Sequence, residues 1–324
     1  MRWLAVERLR GWRWALVLLA VSAALCLPWL AGTPYSQGLL NLTIINSILV
    51  LGFYIIFGLT GIFTVSQVAF MAIGAYTVAI LTADHHWSPW LALAAAPCTA
   101  ALFGILLGLP TLKLKSHYLT MATIGFTEVV RLVLINWEPV THGPSGIRGI
   151  PTPVLGAAPL DSSRMLYYLC LAVLLLALAG VGRLRSSRLG RGLEAIRDDE
   201  LAADTCGIGL MRYKIMAFAL SAFLGGLAGG LYAFHMRYVA PDAFTLEQTI
   251  QTLAMLMIGG RTAPAGSVVG AVALTYLPEA LRSFKDWYMA IYGLGLVAVL
   301  IFLPDGLVGL FRRSWRRLMG GAAV

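Results

Sequence analysis

The sequence predicts an all-α polytopic integral membrane protein. It has about ten transmembrane helices, some short or broken, in a single transmembrane domain over residues 1–324. Three observations carry that prediction. The chain is 59% hydrophobic and 12% charged, with a mean hydropathy of +0.80, whereas a soluble domain is about a quarter charged. Apolar runs of roughly 18 residues or more, long enough to cross a bilayer, recur along its length. The remaining charges cluster between those runs rather than spreading over them.

The spans read at 14–31, 38–58, 61–82, 89–110, 118–136, 165–182, 213–236, 246–258, 266–281 and 288–303. With a cytoplasmic N-terminus, 18 lysines and arginines fall inside and five outside, and Arg131 lies within a span. That bias predicts both termini in the cytoplasm. The formal charge of +9 is thus an orientation signal that favours anionic lipid headgroups, not a nucleic-acid footprint.

Taken in order, residues 1–13 (MRWLAVERLRGWR) form a basic, tryptophan-bearing interfacial approach. The first span follows arginines as a signal peptide would, but its apolar run is too long and lacks an A-x-A site, so it reads as a retained helix. The stretch Gly58–Tyr76 interleaves Gly58, Gly61 and Gly74 with Thr60, Thr64, Ser66 and Gln67. Such segments line cavities or sit at close helix contacts, and both readings stand here. Asp84, His85 and His86 occupy an outer turn, and Lys113 and Lys115 an inner one. In the fifth span Glu128 and Arg131 are three apart and share a helix face, so they can pair. The pair reads as a structural ion pair ahead of a proton relay. The loop from 137 to 164 is the longest outer segment, rich in Gly and Pro, and therefore turn-dense.

The polar stretch Arg183–Arg212 holds six arginines and five acids between apolar runs, so it must lie in water beside the membrane. Leu189, Leu193 and Ile196 fall on one helical face. Asp198 is expected to cap a second short helix with Asp199 and Glu200 in its first turn, ended by Gly207 and Gly209. An ordered insert of this kind needs something to dock against. In the seventh span Gly225 with Gly229, and Gly226 with Gly230, form two overlapping small-xxx-small faces for close packing. The short eighth span breaks at IGGRTAPAGSVVGA, Ile258–Ala271, a pointer to a discontinuous helix near a transport path.

Several chemistries are missing from the sequence. It contains no Gly-x-x-x-x-Gly-Lys-Ser/Thr phosphate loop, no H-E-x-x-H and no G-x-S-x-G. Its four cysteines form neither a disulfide framework nor a metal spacing.

Four stretches together resemble the permease subunits of bacterial ABC importers for branched-chain amino acids, the LivM type. They are Gly58–Thr77, Tyr118–Pro151, Leu189–Ala233, and Gly259–Ala271 leading on to LPEALR and LPDGL. The resemblance implies a subunit that is not an enzyme and holds no cofactor, with ATP and Mg in separate ATPase chains. It implies two such ATPases, a second homologous permease, a periplasmic solute-binding protein and the lipid of a bacterial inner membrane as partners, and no nucleic acid. It makes 183–212 a cytoplasmic coupling segment carried by Glu194, Ala195, Arg197, Asp198, Asp199, Glu200, Ala203 and Gly207. It suggests a translocation path past Gly61, Thr64, Ser66, Gln67, Thr123, Thr127, Glu128, Arg131, Gly259 and Gly260. Ser66 stands where the family commonly has glycine, and Thr262 and Ser267 replace a glycine and the proline of a later motif. Relatives in the family carry urea, amides or aromatic acids, which keeps those solutes as alternatives. A proton-coupled secondary transporter using Glu128, and a scaffold without transport, are the readings from other classes.

Overall fold

The computed structural model describes residues 22–29, 32–111, 116–155, 158–159 and 163–281, together with 293, 306, 307 and 309. Residues 22–29 are helical. Helix α1 (Pro34–Phe53) starts at Thr33, whose hydroxyl accepts from the Ser36 amide at 3.3 Å, and continues through a π-helical stretch, Tyr54–Leu59. It is mostly apolar without a single apolar stripe and is buried from Thr43 onward, as a helix is when neighbours cover its faces. Helical bonding stops at Thr60, and Gly61 turns the chain with φ +71°, a conformation glycine adopts without Cβ strain. Residues 61–66 are not helical, and α2 (Gln67–Ala79) begins only after them. The expected span 61–82 is therefore corrected to a break followed by a helix. Apolar content alone does not distinguish the two.

α3 (Pro89–Thr111), α4 (Ser116–Asn136) and α5 (Ser163–Ser186) follow. The polar insert forms α6 (Arg188–Asp198) and α7 (Glu200–Thr205). Then come α8 (Leu210–Met236), α9 (Leu246–Gly259) and α10 (Pro264–Leu281). Six helices among the described residues are long and apolar enough to cross a membrane: α1 to α5, with the π-helical extension of α1 and a second one, Ile80–Asp84, after α2, and α8. The count of about ten is not reached among them. α9 has 14 residues, about 21 Å at ~1.5 Å per residue, short of a hydrocarbon core of roughly 30 Å. With α10 it makes a tight hairpin in which a Cβ on Gly270 would overlap the Met255 carbonyl oxygen. Of the spans at 14–31 and 288–303, the parts beyond 22–29 and residue 293 lie outside the described residues. So do the Lys113 and Lys115 turn and both basic ends.

α8 is the centre of the packing. Gly225 and Gly229 face α2, where a Cβ on Gly229 would overlap the Met71 carbonyl oxygen. Gly226 and Gly230 face α3, against Ala96, Ala100 and Leu93. Both small-residue faces read from the sequence are thus used within this one chain. Absence of side chains lets backbones approach and gain dispersion contacts, the main attraction between helices in lipid. α1 and α8 are mostly buried, whereas α4 and α5 leave most of their surface open.

The end away from the insert is tied by short pieces. Glu138–Thr141 is one helical turn and Gly143–Ser145 a 3-10 turn. β1 (Ile147–Arg148) pairs antiparallel with Tyr238–Val239 after α8, with Ile147 opposite Val239. Val154–Leu155 pairs with Ala158–Pro159. The described part of the loop is as turn-dense as its composition predicts.

Candidate functional site

Two places gather chemistry: the polar insert at one end and a cavity opening toward the other. In the insert, Ser187 caps α6 and its hydroxyl accepts from the Gly190 amide at 3.2 Å. Leu193 and Ile196 are buried, while Leu189 is exposed, so the inward face is one turn narrower than the spacing suggests. Gly190 and Gly192 complete that face, pressed against Arg185 backbone and the Tyr213 ring. The cap of α7 is corrected from Asp198 to Asp199. The Asp199 carboxylate accepts from the Leu201 and Ala202 amides at 2.9 and 3.0 Å, whereas Asp198 ends α6 and pairs with Arg197. Adjacent aspartates make the existence of a cap legible but not its phase. Glu200 pairs with Lys214 at the start of α8, and Gly207 ends the insert with φ +82°.

The eight residues assigned to coupling divide into two sets. Glu194, Ala195, Arg197 and Ala203 engage the bundle or lie at least half-covered against it, while Asp198, Asp199 and Gly207 are exposed. Glu200 is exposed but tethered by Lys214. Missing from that set is Leu201, 76% exposed and flanked by Asp199, Glu200 and Asp204. It is an apolar side chain standing in water among acids on a capped helix. Its signal in the sequence was the leucine two residues beyond the cap.

Two arginines tie this insert to the two breaks in the membrane helices. Arg197 Nη1 donates to the Gly58 carbonyl at 3.1 Å, where α1 ends. Its aliphatic stem covers Gly61, and a Cβ there would lie 2.9 Å from Arg197 Cγ. Arg185 Nη1 donates to the Thr262 carbonyl at 2.7 Å in the turn between α9 and α10, and its Nε is held by Glu194 at 3.0 Å. At that second break Gly260 has φ +102°, and Gly306 packs its backbone against it.

Most of the residues read as a translocation path make packing contacts in this structure. Gln67 Nε2 donates to the carbonyls of Leu49 and Ser221 at 3.1 and 3.3 Å, and its Oε1 accepts from the Ser221 hydroxyl at 2.8 Å. Thr123 Oγ1 accepts from the Val65 amide at 3.1 Å, and Thr127 donates to the Val65 carbonyl at 2.9 Å. These bonds fasten the broken segment to α4. Thr64 and Ser66 are buried beside it, Ser66 with an unpartnered hydroxyl. Glu128 and Arg131 pair at 2.9 Å on the open side of α4. Gly259 is pressed against Gly266 within the α9–α10 hairpin. None of these, nor Gly61 or Gly260, lines the cavity.

The cavity has a volume of about 440 Å³ and lies between α1, α2, α8, α9 and α10. That is within the roughly 300–1,000 Å³ usual for small-molecule sites. Leu39, Leu42, Met71, Met255 and Leu274 supply apolar wall, and Asn46, Gln248, Gln251 and Thr275 supply amides and hydroxyl. Asn46 Nδ2 donates to Thr275 Oγ1 at 3.2 Å across it, joining α1 to α10. Asp242 and Glu247 line it from the segment following α8 and the first turn of α9. Thr245 between them caps α9, its hydroxyl accepting from the Gln248 amide at 3.3 Å. Sequence reading passed over these residues. The available signal was Glu247, Gln248 and Gln251 on one side of an otherwise apolar helix, since polar groups at membrane depth mark an interior or a path.

Comparison with known proteins agrees with this architecture. The family described as branched-chain amino acid transport system / permease component matches residues 36–302. The high-affinity branched-chain amino acid transport system permease protein LivM of Escherichia coli (strain K12) is 34% identical over 306 residues, covering 87% of this chain and 72% of that protein. A probable branched-chain amino acid transport permease LivM of Methanocaldococcus jannaschii is 26% identical, covering 67% of each chain. A guanosine ABC transporter permease, NupQ of Bacillus subtilis (strain 168), is 23% identical over 75% of this chain and 84% of its own. No solved structure matches. With six long apolar helices and a family match over most of its length, the chain belongs to the branched-chain amino-acid transport permease family: it is a multi-pass membrane transport subunit and not itself an enzyme.

Proposed function

We propose that the chain translocates branched-chain amino acids into a bacterial cell as one permease of an ATP-driven importer. It sits in the inner membrane with both termini cytoplasmic, paired with a second, similar permease. Two ATPase subunits carry ATP and Mg and dock on the exposed face of the insert, around Leu201. A periplasmic binding protein delivers solute to the end formed by residues 137–164. The carrying observation is the mixed lining of the cavity. Carboxylates at Asp242 and Glu247 suit an ammonium group, amides suit a carboxylate, and the leucine and methionine wall suits an aliphatic side chain.

The same lining weighs against the alternatives. An aromatic acid lacking an amino group would bring net negative charge to two carboxylates, which costs binding. Urea has no apolar part for the wall. A proton-coupled carrier using Glu128 would place its titrating group on the open side of α4, paired with Arg131 and away from the cavity.

Uptake of labelled leucine, urea and an aromatic acid into proteoliposomes holding the whole complex tests this. Leucine is expected to be taken up with ATP, and D242N/E247Q is expected to raise its KM by about tenfold, the scale of one charge-assisted contact, without loss of ATPase subunits. Unchanged leucine uptake in that variant would remove the cavity from the path. Uptake without ATP would remove the importer reading altogether.

A further inference from the structure

The two breaks in the membrane helices are far apart in sequence, 61–66 and 260–263, yet the first, at the helix end before it, and the second are both bonded from the same cytoplasmic-side unit. Arg197 leaves α6 to reach the Gly58 carbonyl, and Arg185, gripped by Glu194 of α6, reaches the Thr262 carbonyl. Carbonyls at a helix end lack their intrahelical donors, and a carbonyl that loses its donor inside a bilayer is costly. A guanidinium is suited to the task because it stays charged and its donors are fixed in a plane. The insert is packed closely against α5 and the start of α8. Gly190 meets the Arg185 backbone, Gly192 meets the Tyr213 ring, and Glu200 meets Lys214. Any displacement of α6 therefore pulls on both carbonyls at once. α9, which ends at one of these breaks, also carries Gln248, Gln251 and Met255 into the cavity.

We infer that Arg185 and Arg197 are the positioning residues through which movement of the cytoplasmic insert reaches the two helix breaks and, through α9, the wall of the cavity. This rests on the importer reading, because the movement originates in ATPase subunits docked on the insert. Neither arginine touches solute. Their bonds set where the broken helix ends sit in each state, so the bias that the partners apply to the insert becomes a bias on the bundle.

The test uses the whole complex in proteoliposomes, reading solute uptake per ATP hydrolysed, basal ATPase rate, subunit content and melting temperature. In R185M/R197M, which keeps an apolar stem but deletes both donors, ATPase subunits and basal hydrolysis are retained while uptake per ATP falls by about tenfold or more, the scale of a charge-assisted hydrogen bond. R185K/R197K, able to offer one N–H to each carbonyl, recovers most of that ratio. R185M alone, altering the arginine outside α6, gives an intermediate ratio and serves where the double variant does not fold. Wild-type uptake per ATP in the methionine variants overturns the inference. Loss of the ATPase subunits also overturns it, because the arginines would then be docking residues. A wild-type complex that imports no leucine with ATP instead removes the underlying importer reading, which the unmutated control shows on its own.

Discussion

Gln67 shows how much a single polar side chain can hold at membrane depth. It bonds one carbonyl of α1, one of α8 and the Ser221 hydroxyl, all buried. Replacing it with leucine strands the Ser221 hydroxyl and removes the cross-link between helices. Interhelical bonds in membranes contribute about 0.6–2 kcal/mol each, so Q67L is expected to lower the melting temperature by several degrees in detergent. Retention of the wild-type melting curve would mean the bonds are incidental. A glutamine following Gly-Leu-Thr-Gly on an apolar run is legible as a special position in the sequence. Its partners were not, because Leu49 and Ser221 contribute a backbone carbonyl and a common hydroxyl that spacing does not single out. Asp242 and Glu247 escaped for a related reason: they sit in and just after a short connection, where acids are usual in soluble loops.

At the scale of elements, α8 was the easiest to read. Four glycines at offsets of four and one define two faces, and each face meets a different neighbour. G229A is expected to fail to accumulate as folded protein, since its methyl would overlap the Met71 carbonyl oxygen. G182A on α5, where nothing lies within 4 Å of the added Cβ, should accumulate normally. Fluorescence-detected size exclusion of both variants separates the two. Equal yields would mean that α2 and α8 can part without cost. The break at 61–66 was the hardest element to place. Its composition suits both a tilted helix and a loop, and the choice is made by bonds from Thr123, Thr127 and Arg197, which belong to segments 57 or more residues away. Those are tertiary facts, and no local propensity reports them.

At the scale of the whole molecule, the charge bias makes a statement about sidedness that the fold turns into an experiment. Cys206 is exposed on the insert and Cys170 is buried, while Cys26 and Cys98 are exposed on helical segments and are replaced by serine for the test. A membrane-impermeant maleimide is expected to label Cys206 in inverted vesicles and leave it untouched in right-side-out ones. The opposite pattern would invert the topology and, with it, the side from which the cavity fills. Cys206 lies between α7 and α8, so its labelling reports the side on which the insert lies.

The strand pair Ile147–Val239 closes the end opposite the arginines, and that arrangement has a mechanical meaning. A beam held at both supports cannot swing as a whole; it can only flex between them. α8, unbroken for 27 residues and clasped at one tip by the ladder and at the other by Lys214 and Glu200, is such a beam. The compliant parts of the molecule are then the places where the ladder of helical bonds is interrupted, and these lie at the inner ends of α1 and α9.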